Sequence, residues 1–228
     1  MSHNLINHAA LMAAQQSLAE LNVPDGKSAT SDINILLVAV DDSKSVPVAD
    51  SMRFKDAINQ IAKMVPQLAI TSDTFIAVYA LNKGVLRQFS LADEFVPLTE
   101  AEMTPTGGWT PLFHGIAQCA EQIAVNRISL ELKGYGARTA LFCFTDGKEN
   151  IDPKDPRFTT VENVQDKVKK LLYGQGKSGI AGVGIGDLAA GEFRRMGFPT
   201  ESIHTVANAT QAAEILVQFS QSRLSGPG

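Results

Sequence analysis

The stretch Ile33-Asn34-Ile35-Leu36-Leu37-Val38-Ala39-Val40-Asp41-Asp42-Ser43-Lys44-Ser45 decides the fold. Its first eight residues make an apolar run of strand length, unbroken from Ile35 to Val40. A strand this apolar on both faces belongs in the middle of a sheet covered by helices above and below. The run stops abruptly at two acids and two serines. In parallel α/β sheets, ligands bind at the C-terminal ends of the strands, so the polar tail of this stretch marks the edge where function is expected.

Outward from this strand the chain alternates. Phe54, Ala57, Ile58, Ile61, Ala62 and Val65 recur at helical spacing, and Pro66 ends the pattern. Strands are expected at 75–81 and 85–91, joined by Asn82-Lys83-Gly84 as a hairpin. A long loop, 95–109, leads to Thr110-Pro111 and a helix marked by Leu112, Ile116, Cys119 and Ile123. A second central strand is expected at 139–145 and a third at 179–186. Between them Thr159 and Glu162 resemble a capping box for a helix carrying Val164, Val168 and Leu171. A short helix at 192–196, a strand at 202–206 and a final helix capped by Asn208 complete the chain. The expected fold is a three-layer, doubly wound α/β domain over 32–228. Its sheet is mostly parallel, with one antiparallel edge strand at 85–91 and right-handed crossovers. Residues 4–21 read as a separate N-terminal helix, and 22–31, with Pro24 and Gly26, as its linker.

Composition narrows the function. The 228 residues carry 20 Lys+Arg against 24 Asp+Glu, a net charge of −4 without a basic block, which argues against a general nucleic-acid binder. No apolar run approaches the length of a membrane span. Residues 1–7 lack the basic start and apolar centre of a secretory signal. Cys119 and Cys143 read as small buried hydrophobes, with a disulfide between elements as the alternative. Together these features favour the cytoplasm.

Three strand ends carry the candidate chemistry. Asp41, Ser43 and Ser45 follow the first strand; Asp146-Gly147 follows the strand 139–145; Gly107-Gly108-Trp109-Thr110 opens a helix. Five oxygen-bearing side chains, Asp41, Ser43, Ser45, Thr110 and Asp146, suit a hard cation such as Mg²⁺ or Mn²⁺. Taken singly, each has a plain alternative: a turn at Asp41 and Ser43, a helix cap at Thr110, a turn at Asp146-Gly147.

The combination Asp41-x-Ser43-x-Ser45, Thr110 and Asp146-Gly147 resembles the metal-ion-dependent adhesion site of von Willebrand factor A domains. The likeness runs from Ile33 to the final helix. The Gly107-Gly108-x-Thr110-Pro111-Leu112 form is most similar to intracellular bacterial members. The resemblance implies direct metal ligation by Ser43, Ser45 and Thr110, with Asp41 and Asp146 acting through waters and by orienting the hydroxyls. It implies a non-enzymatic adaptor whose metal shell is completed by a partner's Asp or Glu, often beside a AAA-type ATPase. Lys44 departs from the family's usual Gly and places a cation at the site. The other readings are a metal-dependent phosphatase or hydrolase, which Ser43 at the second acid position of an aspartyl-phosphate loop speaks against, and a structural subunit with an inert metal site.

Two glycine patterns are set aside. Gly174-Gln175-Gly176-Lys177-Ser178 lacks the first Gly of a phosphate loop and precedes a strand instead of a helix. Gly182, Gly184 and Gly186 lack the last Gly of a dinucleotide fingerprint, where Ala189 stands. The loop 95–109 and Trp109 are expected either to form a partner surface or to pack Trp109 under the loop as core.

Overall fold

The apolar run forms β1 (Asp32–Val40), buried from Ile33 to Val40. It has a parallel neighbour on each side, β2 (Asp73–Ala80) and β4 (Gly136–Thr145). The computed structural model describes residues 32–67, 73–173 and 178–224; the expected helix 4–21 and linker 22–31 lie outside these, as does most of the 174–178 glycine pattern.

Between β1 and β2 runs α1 (Val48–Met64), which buries Phe54, Ala57, Ile58, Ile61 and Ala62 as their spacing requires. A single 3₁₀ turn, Val65–Gln67, follows at Pro66. β3 (Gly84–Leu91) returns antiparallel to β2. Gly84 opens it at φ +81°, a conformation that glycine adopts without strain. The loop that follows carries one helical turn, α2 (Glu100–Met103), with Thr99 and Glu102 forming a capping box. Four residues show no periodicity, so the sequence pattern could not reveal it.

α3 (Leu112–Leu132) precedes β4, and α4 (Val161–Leu172) follows it. The cap of α4 lies one residue beyond the expected Thr159. Thr160 accepts from the Asn163 backbone N–H at 3.3 Å, while the Thr159 hydroxyl turns to the Arg157 carbonyl. β5 (Ser178–Ile185), α5 (Asp187–Arg195), β6 (Ile203–Val206) and α6 (Ala209–Leu224) complete the described chain. α5 begins five residues before the expected 192, at the turn made by Gly186. Asn208 accepts from the Gln211 N–H at 3.1 Å, as a cap should.

The sheet order is β3-β2-β1-β4-β5-β6, and β3 is its one antiparallel member. Alternate residues of β1 serve opposite layers. Leu36, Val38 and Val40 belong to a core shared with Phe54 and Ile58 of α1 and Leu216 of α6. Leu37 and Ala39 belong to a second core with Ile116 of α3, Val164 of α4 and Phe193 of α5. The domain is therefore three-layered, with helices on both faces of the sheet, as the alternation predicted. Among the described residues no helix is long and apolar enough to cross a membrane.

Cys119 and Cys143 are free thiols, both fully buried in the second core. Burial pushes the Cys143 thiol well above its ordinary value, and that of Cys119 as well. A water-soluble disulfide reagent is accordingly expected to label neither thiol in the native protein and both after denaturation in guanidinium. Rapid labelling of either under native conditions would place it outside the core.

Candidate metal centre

Three loops meet at the C-terminal edge of β1 and β4. β1 and β4 run side by side, so Asp41 and Asp146 leave adjacent strands; the Asp41 N–H donates to the Phe144 carbonyl at 3.0 Å. Asp41 is buried and both its oxygens are engaged. Oδ1 accepts from the Ser43 N–H at 2.9 Å, closing a turn, and Oδ2 accepts from the Thr145 hydroxyl at 2.6 Å. Burial pushes the Asp41 carboxyl up to about 6, against the pull of the Thr145 and Ser43 hydrogen bonds. Its place in the fold is to lock the serine loop to the end of β4.

The serine hydroxyls then converge. Ser43 Oγ and Ser45 Oγ are 2.8 Å apart, and the Ser45 hydroxyl donates to Asp146 Oδ1 at 3.0 Å. Asp146 is half-buried, and desolvation raises its carboxyl above the usual range while the Ser45 bond lowers it. Three of the five expected side chains thus form one chain of oxygens.

Thr110 reaches the same edge by a different route. The segment before it is stitched to the serine loop: Gly107 bridges Ser43, the Lys44 N–H donates to the Gly107 carbonyl at 2.8 Å, and the Thr106 N–H donates to the Asp42 carbonyl at 2.9 Å. Thr110 is buried, with its N–H on Asn150 Oδ1 at 2.6 Å. A Cβ on Gly147 would stand 3.9 Å from Thr110 Oγ1, so the Asp146-Gly147 turn lies beside the threonine. Thr110 does not cap α3. Pro111 occupies the cap position without a side-chain bond, and Glu149 instead accepts the Phe113 N–H at 2.7 Å.

Sequence reasoning missed the braces around this centre. Asp42 Oδ1 accepts the Asn82 N–H at 2.7 Å, and Asn82 Nδ2 also donates to the Trp109 carbonyl at 2.9 Å. Gly107 packs so closely on Asn82 that a Cβ there would lie 2.1 Å from its amide carbon. Asp42 Oδ2 is buried without a hydrogen-bond partner. Asn82 at the β2–β3 turn and Asn150 after Asp146 thereby fix where Trp109 and Thr110 stand. The signals available in the sequence were a second acid at a strand end and an Asn opening a hairpin turn.

Trp109 is 52% exposed, which sets aside the expectation that it packs as core; Phe95, Leu98 and Met103 fill that role for the loop. Among the described residues no three His, Cys, Asp or Glu side chains cluster as a metal-binding group. The edge offers hydroxyls and two carboxylates, an all-oxygen set of the kind that hard cations take.

The strand order, the antiparallel edge strand and the two helical layers are consistent with a von Willebrand factor A or Rossmann-like fold. Solved structures of that kind are similar to the chain. Proximal thread matrix protein 1 from the mussel byssus is 16% identical at a TM-score of 0.54, over 83% of this chain and 48% of that one. The pilus adhesin SpaC from Lactobacillus rhamnosus GG is 11% identical at a TM-score of 0.61, over 85% of this chain and 31% of that one. The chain spans about half the length of the mussel protein and about a third of the adhesin. Neither a family model nor a curated protein sequence matches it.

Proposed function

We propose that this chain is a divalent-metal-dependent protein-binding module acting as an adaptor inside the cell. The observation that carries this reading is the chain of oxygens in which Ser45 Oγ lies within hydrogen-bond distance of both Ser43 Oγ and Asp146 Oδ1, beside a Gly147 whose Cβ position would stand 3.9 Å from the Thr110 hydroxyl. Ser43, Ser45 and Thr110 would hold Mg²⁺ (or Mn²⁺) directly, with Asp41 and Asp146 one water away. A bound cation supplies one open coordination position, which a partner's Asp or Glu carboxylate completes. With few direct carboxylates the cation stays under-neutralised, which favours an outside anion. The partner is accordingly a protein offering an acidic residue, and an assembly with a AAA-type ATPase fits the family resemblance. Asp41 is buried and bonded through both oxygens to the Ser43 N–H and the Thr145 hydroxyl, which suits a residue that positions the serine loop more than one that attacks a phosphate. The two buried free thiols are in keeping with a reducing compartment.

Calorimetry tests the reading. Wild-type protein is expected to take up Mg²⁺ and Mn²⁺ at millimolar concentrations or below, and the Ser43→Ala/Ser45→Ala double variant to take up neither while keeping its circular dichroism spectrum. Absence of uptake by the wild type would make the site inert. Metal-stimulated hydrolysis of p-nitrophenyl phosphate, lost in Asp41→Asn, would favour the phosphatase reading instead.

A further inference from the structure

The same sheet edge carries apolar side chains that the core does not use. Trp109 is 52% exposed and Leu188 is 68% exposed. Their backbones are set: the Trp109 carbonyl is held by Asn82, the Thr110 N–H by Asn150, and Leu188 lies in the first turn of α5. An exposed aromatic on a fixed backbone suits a binding anchor, because little order remains to be lost on association.

Their positions along the edge are given by the strand order. Asn82 follows β2 and brings Trp109 to that end; Leu188 follows β5. β1, with Ser43 and Ser45, and β4, with Asp146, lie between. Neighbouring strands are about 4.8 Å apart, so the β2 and β5 ends are separated by about 14 Å. An extended peptide advances about 3.3 Å per residue and turns alternate side chains to one face. Residues i−2, i and i+2 therefore span about 13 Å on a single side. Charge points the same way. Lys44, between the two serines, and Lys148, two residues after Asp146, are exposed and form no ion pair among the described residues.

We propose, resting on the metal-dependent reading above, that the partner presents an extended segment of the pattern apolar–x–acidic–x–apolar. Its acidic side chain reaches the Ser43–Ser45–Asp146 centre, and the apolar side chains two residues before and after cover Trp109 and Leu188. The exposed Lys44 and Lys148 beside the centre favour an acidic segment over a basic one.

Fluorescence anisotropy in millimolar Mg²⁺ tests this with synthetic peptides. A peptide centred on Leu-Ser-Asp-Ser-Leu is expected to bind at least tenfold more tightly than one centred on Ser-Ser-Asp-Ser-Ser, and Leu-Ser-Asn-Ser-Leu to lose binding. The leucine advantage is expected to shrink in both Trp109→Ser and Leu188→Ser, while calorimetric Mg²⁺ uptake by both variants matches the wild type. Equal binding of the first two peptides, an advantage that survives both substitutions, or no binding of any peptide by protein that does take up Mg²⁺ would overturn the segment and leave the metal reading standing. If the wild type takes up no Mg²⁺, the metal reading falls and the segment proposal with it.

Discussion

Gly182→Val is expected to lower the stability of the domain by about 3 kcal/mol, the upper end of what overpacking a core costs. For a chain of this size that corresponds to a fall of roughly 6–12 °C in melting temperature. A Cβ at Gly182 would stand 2.6 to 2.9 Å from three ring carbons of Phe193. Phe193 is fully buried in α5, and its ring packs on Phe198 with centroids 4.9 Å apart, so it has nowhere to retreat. Valine adds two methyl groups beyond that Cβ. The double variant Gly182→Val/Phe193→Ala supplies the control. Phe193→Ala alone is expected to cost about 3–5 kcal/mol as a cavity, and the pair less than the sum, because valine fills part of the space that the ring leaves. Urea melts that place Gly182→Val beside the wild type would show that α5 does not approach β5 this closely.

The same glycines show how far the sequence could be read. The architecture was legible because it is written in short-range signals. The unbroken run 35–40 announces a strand covered on both faces, the spacing of Phe54, Ile58 and Ile61 a helix face, and Asn82-Lys83-Gly84 the hairpin that makes β3 antiparallel. Gly182, Gly184 and Gly186 could be dismissed as a nucleotide fingerprint from spacing alone, but their actual reason could not be read. Gly182 makes room for Phe193; a Cβ at Gly184 would fall 2.4 Å from that of Ala189; Gly186 turns the chain into α5 at φ +79°. The first two are contacts between a strand and a helix that crosses it, and they depend on how the elements dock.

The candidate centre divides in the same way. Asp41, Ser43 and Ser45 lie within five residues of one another and stood out directly, and Thr110 and Asp146 followed from the strand ends they occupy. The side chains that hold these in place were hidden by chain separation. The Thr145 hydroxyl reaches Asp41 across 104 residues, and Asn82 reaches Asp42, like Asn150 Thr110, across 40. Nothing local distinguishes Thr145 from any other strand-end threonine until β4 is known to lie beside β1. The exposure of Trp109 was likewise undecidable from sequence, since it depends on Phe95, Leu98 and Met103 supplying the core of the loop instead.

Asp146→Ala is expected to leave the fold standing and to weaken both cation and acidic-peptide binding. Asp146 lies just beyond β4, is only half-buried, and its side chain accepts one side-chain hydrogen bond, from the Ser45 hydroxyl. Desolvation raises its carboxyl above the usual range, so the ionised form is held at a disadvantage in the folded state near neutral pH. Removing it therefore carries no stability penalty from lost charge, and the melting temperature in EDTA should match or slightly exceed that of the wild type. Binding behaves oppositely. If Asp146 orients Ser45 and holds the cation through water, the variant loses one side of a charge-assisted contact, which typically costs about 2–5 kcal/mol. That is roughly thirtyfold or more in affinity, well within calorimetric resolution for Mg²⁺ and within anisotropy for an acidic peptide. EDTA should reduce the wild type to the level of the variant and add little to the variant itself. Asp146→Asn should fall between the two, since the amide still accepts from Ser45 but brings no charge. Peptide capture that survives both EDTA and Asp146→Ala would place recognition on another surface and remove the cation from the functional account.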